Sequence, residues 1–72
     1  MKVLDLHGVE HLDVETKVTN FVLMSEPPLK IITGDSGTMR EIVFHILDEH
    51  GFEYHPEHYT NYGAFIIRDK TN

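Results

Sequence analysis

The sequence predicts a two-layer α/β sandwich: a mixed four-stranded sheet with two helices on one face, in the order β-α-β-α-β-β. Three observations predict it. Short stretches rich in β-branched and aromatic residues recur along the chain, and two longer segments repeat apolar residues with a helical period. Glycine or proline separates these segments. Because the 72 residues contain no repeat or linker, we expect one domain over 1–72.

The first half of the chain contains one predicted strand and one predicted helix. Residues 2–7 are predicted to be a strand, and residues 13–26 a helix with Asp13 as its N-cap. Apolar residues recur in the helix at i, i+4, i+7 and i+8, namely Val14, Val18, Phe21 and Val22. Pro27 and Pro28 end this helix, because proline has no N–H donor and restricts the residue before it.

The second half alternates elements and turns. We predict a strand over 29–33, a turn over 34–37, a helix over 38–50, a strand over 52–58, a turn over 59–63 and a strand over 64–68. Gly51 follows the helix where a terminating glycine belongs. Pro56 predicts an edge strand or a bulge, whereas the apolar run before Arg68 indicates a central strand. Phe44 lies off the apolar stripe and is predicted to be an exposed partner contact.

Composition argues against several classes of protein. Twelve acidic residues oppose six scattered basic ones, which gives a net charge of −6 and no basic patch for tight binding of long nucleic acid. There is no cysteine, which excludes disulfides and thiolate metal sites and fits a reducing compartment. No apolar run approaches the roughly 20 residues that span a bilayer, and the N-terminus does not resemble a signal peptide. We therefore expect a cytoplasmic protein without membrane contact.

Two short motifs follow predicted parallel strands. LDLHG occupies 4–8, and TGDSG consists of Thr33, Gly34, Asp35, Ser36 and Gly37. Ligands of such folds collect at the carboxyl ends of strands, so both loops are expected at one edge of the sheet. The second loop leads into a helix, whose free N–H groups favour an anion such as phosphate. Arg40, in the first helical turn, is predicted to bind the same anion.

These residues suit hydrolysis of a phosphodiester. Asp5 could orient His7 or hold a divalent metal such as Mg²⁺ or Mn²⁺, although no metal is required by the residues, and His7 could act as general base or acid. Gly8, the TGDSG loop and Arg40 would form the phosphate side of the site. Structural alternatives stay open: Asp5 could cap a turn, His7 could bond to the backbone, and Arg40 could pair with an acidic neighbour in solvent.

The two motifs together resemble the small MutS-related (Smr) domain family. That family has an LDLHG-type motif after its first strand. Before its second helix it has H-G-x-G or T-G-x-G, in a motif that often ends in Leu-Arg or Leu-Lys. The matching residues are Asp5, His7 and Gly8 in the first motif, and Thr33, Gly34, Met39 and Arg40 in the second. The resemblance covers nearly the whole chain. It implies the β-α-β-α-β-β order, a fold similar to the C-terminal domain of translation initiation factor three, and nicking or cleavage of DNA or RNA. The family's domain usually lies at the end of a longer protein, but we interpret this chain as a stand-alone version.

The second motif departs from the family pattern. Its second glycine is replaced by Ser36 or displaced to Gly37, and Asp35 brings a negative charge where many members have lysine or arginine, unless it is a metal ligand. Three functions stay open: an endonuclease, a non-catalytic module that binds nucleic acid or a protein partner, and an acidic protein that mimics nucleic acid. A homodimer is also conceivable for so small a core.

Three further groups of residues have side chains that could bind a ligand. His7 and His11 have i, i+4 spacing, but Gly8 between them argues against a helical zinc site. The segment His55-Pro56-Glu57-His58 is interpreted as a solvated hairpin more readily than as a metal cluster. The three tyrosines, Tyr54, Tyr59 and Tyr62, could stack on the bases of a single strand, but the lack of basic neighbours favours the same hairpin interpretation.

Overall fold

The structure, a computed structural model, describes residues 1–70 as four strands and two helices. These are β1 (Lys2–Asp5), α1 (His11–Met24), β2 (Leu29–Ile32), α2 (Gly37–Glu49), β3 (Phe52–His58) and β4 (Asn61–Asp69). The predicted order, β-α-β-α-β-β, and the predicted α/β sandwich are confirmed. Within the described part of the chain, neither helix is long and apolar enough to cross a membrane.

The sheet has the strand order β1-β2-β4-β3. β1 pairs with β2 in parallel, and β4 pairs antiparallel with both β2 and β3. β4 is therefore a central strand, as its apolar run predicts. β3 is an edge strand, and its pairing with β4 is irregular between Pro56 and His58. The prediction drawn from Pro56 is thus confirmed, because a residue without an N–H donor cannot extend a regular ladder.

The hydrophobic core lies between the two helices and one face of the sheet. On β2, Leu29 and Ile31 are fully buried, whereas Lys30 and Ile32 on the other face are only half-buried. The helices contribute Val14, Val18, Val22, Met39, Val43, Ile46 and Leu47. Each such aliphatic side chain contributes about 1.5–3 kcal/mol when fully buried. This packing fixes the two parallel strands whose ends carry the motifs.

The first strand and helix have other bounds than predicted. β1 ends at Asp5 rather than His7, because the chain turns there: the His7 N–H bonds to the Asp5 side chain and the Val9 N–H to the Leu6 carbonyl. α1 begins at His11, so the prediction that Asp13 is the N-cap is wrong: Asp13 lies in the first turn, where its negative charge suits the helix dipole. The helix ends at Met24, ahead of the two prolines.

The later elements also shift slightly. β2 ends at Ile32, one residue before the prediction, and α2 covers Gly37–Glu49 with Ser36 as its N-cap. Gly51 has a φ of 75°, as a helix-terminating glycine requires. β4 begins at Asn61, earlier than predicted, because Asn61 pairs with His58 across a short turn.

Phe44 was predicted to be exposed, but the structure places its side chain against other aromatic rings. Its ring is stacked on Tyr54, with ring centroids 4.6 Å apart, and meets Phe65 edge-to-face at 4.9 Å. The side chain is half-buried and packs against the core. The prediction of an exposed partner contact is therefore wrong, because β3 covers the flank of α2 that the helical pattern alone leaves open.

Candidate functional site

Three loops meet at one edge of the sheet. β1 and β2 are parallel, so their carboxyl ends lie side by side, and the Leu6 N–H bonds to the Ile32 carbonyl at 2.9 Å. The LDLHG and TGDSG motifs therefore lie next to each other. β4 runs antiparallel to β2, so the β3–β4 turn lies at the same edge. That third loop was not part of the predicted site.

Asp5 and His7 are connected through the main chain. The carboxylate Oδ1 of Asp5 accepts a hydrogen bond from the His7 N–H at 2.8 Å, and both residues are exposed. Gly8 has a φ of 78°, which reverses the chain so that the Val9 N–H reaches the Leu6 carbonyl at 3.0 Å. Within residues 1–70, no hydrogen bond joins the His7 imidazole to a protein group. The carboxylate thus holds the turn and leaves the imidazole facing solvent.

Thr33 and Gly34 attach the second motif to β4. The N–H groups of both residues bond to the Gly63 carbonyl, at 2.8 and 3.0 Å. Thr33 is buried, and its hydroxyl donates to the Gly34 carbonyl at 3.1 Å. Its side chain is therefore not presented to a ligand, and its contribution is to fix the loop. Gly34 has a φ of 70°, which favours glycine at this position.

The start of α2 is the part of the motif that suits an anion. Ser36 is the N-cap, and its Oγ accepts a hydrogen bond from the Met39 N–H at 3.1 Å. The first N–H groups of a helix have no partner within the helix, and those of Gly37 and Thr38 lie at an exposed surface. Asp35 is also exposed beside them. The loop therefore offers N–H donors together with one carboxylate.

Arg40 joins the second motif to the start of β4. Its Nη1 donates to the carbonyls of Gly34 and Tyr62, at 3.3 and 3.2 Å. Arg40 does not form the predicted alternative, an ion pair with an acidic neighbour. Among residues 1–70, no carboxylate lies within salt-bridge distance of its guanidinium. A guanidinium beside a helix N-terminus is disfavoured by the helix dipole, so an anion bound here would relieve that repulsion.

Gly63 and Tyr62 complete the edge, and neither was predicted to belong to the site. A Cβ at Gly63 would lie 3.2 Å from the Asn61 Oδ1 and 3.4 Å from the Gly34 carbonyl oxygen. Glycine therefore allows the turn to approach the TGDSG loop closely. The only local signal was a glycine ahead of the last strand, and its partner lies far away in the sequence.

No preformed metal centre is present among residues 1–70, since no three His, Asp or Glu side chains are gathered there. In the HPEH segment, His55 Nδ1 lies 3.0 Å from the Pro56 carbonyl oxygen and His58 Nδ1 lies 2.9 Å from the Thr60 hydroxyl. These contacts fit the hairpin interpretation. A divalent ion near Asp5 or Asp35 would need water and substrate phosphate as further ligands, a coordination that is common for Mg²⁺.

The candidate site is an open edge rather than an enclosed pocket. A surface depression does exist, but it is lined by the start of β1 and the connection between α1 and β2, from Met24 to Pro28. That is the opposite end of the parallel strands, and none of the predicted site residues lines it.

Comparisons of the chain with profiles of known protein families, with curated protein sequences and with solved structures find no match.

Proposed function

We propose that this chain is an Smr-like nucleic-acid-processing domain that hydrolyses phosphodiester bonds in DNA or RNA. The observation that carries the proposal is the parallel pairing of β1 and β2, which brings the exposed imidazole of His7 to the same edge as the start of α2. An acid–base group and a set of phosphate-binding N–H groups are thereby presented together.

The chemistry is divided between the two motifs. His7 acts as general acid or base, the commonest use of an imidazole in catalysis. The N–H groups of Gly37 and Thr38 bind a phosphate oxygen, and the guanidinium of Arg40 adds positive charge where negative charge develops on phosphorus. Asp5 orients His7 through its backbone, and its second carboxylate oxygen is available for a divalent ion. Such an ion would polarise the phosphate.

The open shape of the edge favours a polymer over a small phosphate compound. Pockets for small molecules are usually concave and bury most of the ligand, whereas His7, Asp35 and Gly37 are all exposed. A polynucleotide strand can lie along such an edge and contact all three loops in turn.

The second candidate is a non-catalytic module that binds nucleic acid or a protein partner. The position of Asp35 favours the form that binds a protein partner, because an exposed carboxylate in the TGDSG loop repels a polyanion. The use of the Asp5 carboxylate as a turn cap also favours it, since a cap needs no catalytic role. In this alternative, LDLHG maintains the shape of the loop and the edge binds without reaction.

A cleavage assay separates the two candidates. Wild type, His7→Ala and Asp5→Asn are incubated with labelled single- and double-stranded DNA and RNA, in magnesium, manganese or chelator. His45→Ala is the matched control, because His45 is an exposed histidine on α2 whose imidazole pairs with Glu49. The nuclease proposal expects wild type and His45→Ala to cut, and His7→Ala to lose about a hundredfold or more in rate.

Three results would count against catalysis. If no protein cuts above background but His7→Ala weakens binding, the binding module is favoured. If His7→Ala changes neither cleavage nor binding, the edge is not the functional surface, as expected for an acidic protein that mimics nucleic acid. If all variants cut equally, Asp5 and His7 are not catalytic, and the activity belongs to another surface or to a contaminant.

A further inference from the structure

The end of the β3–β4 hairpin, from His58 to Tyr62, presents aromatic rings that have no role in the core. Tyr59 is 80% exposed and Tyr62 is 57% exposed, and the rings of His58 and Tyr59 are stacked with centroids 4.8 Å apart. Tyr54, in contrast, is half-buried against Phe44. We call His58, Tyr59 and Tyr62 the aromatic tip.

The aromatic tip is attached to the candidate phosphate loop. Arg40 Nη1 bonds at once to the carbonyl of Tyr62 and to that of Gly34, so folding brings to the tip a basic side chain that its neighbours in the sequence do not supply. The Gly63 carbonyl accepts from the N–H groups of Thr33 and Gly34. The tip and the start of α2 are therefore neighbouring parts of one edge, connected by hydrogen bonds across the β2–β4 pair. A strand whose phosphate lies at α2 would therefore run beside the backbone that carries these rings.

The acidic charge of the chain favours the binding of single-stranded nucleic acid over duplex. With a net charge of −6 and no basic cluster, few phosphates can be neutralised, and duplex binding depends mainly on such contacts. Stacking on aromatic side chains is the other main source of affinity, and it requires bases whose faces are free. Bases in a duplex are already stacked on one another.

We propose that the aromatic tip stacks on unpaired bases of single-stranded nucleic acid, so that single strands or single-stranded segments are the substrate class. This inference rests on the proposed function only in taking the start of α2 as the phosphate side. Since every base has an aromatic face, binding is tolerant of sequence. The affinity also depends weakly on salt, with a logarithmic slope of about −0.7 for each phosphate contacted.

The test measures binding in a His7→Ala background, which prevents cleavage during the measurement. Fluorescence anisotropy follows labelled oligothymidylate, oligouridylate and a duplex of the same length. Tyr59→Leu and Tyr62→Leu keep apolar bulk but remove the ring, and Tyr59→Phe keeps the ring. Leu23→Ala is the control, because Leu23 is an exposed apolar residue near the far end of α1. Circular dichroism confirms that each variant is folded.

The proposal expects single strands to bind more tightly than the duplex. It expects each Leu variant to weaken that binding by about 5- to 150-fold, the range for loss of one stacked base. Tyr59→Phe and Leu23→Ala should bind like the parent protein. Unchanged binding by both Leu variants, or equal binding of duplex and single strand, would overturn the proposal.

Parallel cleavage assays in the wild-type background distinguish this proposal from the nuclease proposal. If the Leu variants lose binding while wild type cuts nothing, the tip binds single strands and the nuclease proposal fails. If wild type cuts and the Leu variants cut with unchanged KM, the nuclease proposal stands and the tip proposal fails. If the protein neither binds nor cuts nucleic acid, both fail.

Discussion

The carboxylate Oδ1 of Asp5 lies 2.8 Å from the backbone nitrogen of His7 and accepts its hydrogen bond. This single contact connects the two residues that the first motif contributes to the candidate site. Asp5 therefore has two roles that can be tested separately. Its acceptor oxygen holds the turn, and its negative charge acts on a ligand bound at the candidate site. Asparagine retains the first role and removes the second.

We expect Asp5→Asn to keep nearly the stability of wild type, while Asp5→Ala loses about 0.5–1.5 kcal/mol because the His7 N–H loses its partner. We expect both variants to lose cleavage by about a hundredfold. Urea unfolding and the cleavage assay measure the two effects. Asp69→Asn, an exposed carboxylate at the end of β4, serves as control. If Asp5→Asn cuts like wild type, the charge has no part in catalysis.

Arg40 is expected to stabilise the edge as well as to bind phosphate. Arg40→Ala removes two charge-assisted hydrogen bonds, to Gly34 and Tyr62, and should lower the free energy of unfolding by about 1–3 kcal/mol. Amide hydrogen exchange in the β3–β4 turn should become faster, because its link to the second loop is lost. Arg68→Ala, at an exposed position of β4, should change stability by less than about 0.5 kcal/mol. Equal effects of the two substitutions would refute the bridging role.

The two glycines of the TGDSG loop should respond in opposite ways to alanine. Gly34 has a φ of 70°, and a Cβ added there would have open space around it, so Gly34→Ala should cost about 1–2 kcal/mol through backbone strain alone. Gly34→Asn should cost less, because asparagine tolerates this conformation. Gly37 begins α2 and a Cβ there meets only Arg40 at 3.9 Å, so Gly37→Ala should be neutral or stabilising. Urea unfolding of the three variants tests this contrast, which a loss at Gly37 as large as that at Gly34 would contradict.

Because of Tyr54, the free energy of unfolding should depend on pH in the alkaline range. Burial raises the pKa of its phenol above the ordinary value, and the hydrogen bond that it donates to Asp48 at 2.9 Å and the charge of Asp48 raise the pKa further. Because the folded state prefers the neutral phenol, this stabilisation is present below about pH 10 and is lost as pH rises through the folded-state pKa.

The titration can be isolated in a Tyr59→Phe, Tyr62→Phe double variant, where phenolate absorbance reports Tyr54 alone. Adding Asp48→Asn should lower the pKa of Tyr54 toward its ordinary value without reaching it, since burial persists. A midpoint that does not respond to Asp48→Asn would show that the charge of Asp48 does not contribute, since asparagine keeps an oxygen that can accept the hydrogen bond.

The elements themselves could be predicted from local pattern. The helical spacing of Met39, Val43 and Leu47 specifies the buried side of α2, and all three are in the core. The strand-breaking property of Pro56 places β3 at an edge without any knowledge of its neighbours. The end of β1 and the start of β4 were less predictable. Each depends on a single contact, the His7 N–H bond to Asp5 and the pairing of Asn61 with His58, that periodicity in the sequence does not indicate.

By itself, the sequence determined the order of elements and the two motifs that a parallel pair of strands brings to one edge, since both follow from short-range spacing and turn residues. Only the tertiary structure decided that the β3–β4 turn joins that edge, that Arg40 is bonded to the Tyr62 carbonyl, and that Thr33 and Phe44 are turned inward. The physical reason is distance along the chain. The contacts of Gly34 with Gly63, and of Arg40 with Tyr62, form when sheet pairing brings separate segments together, and neither segment carries a local pattern that specifies its partner.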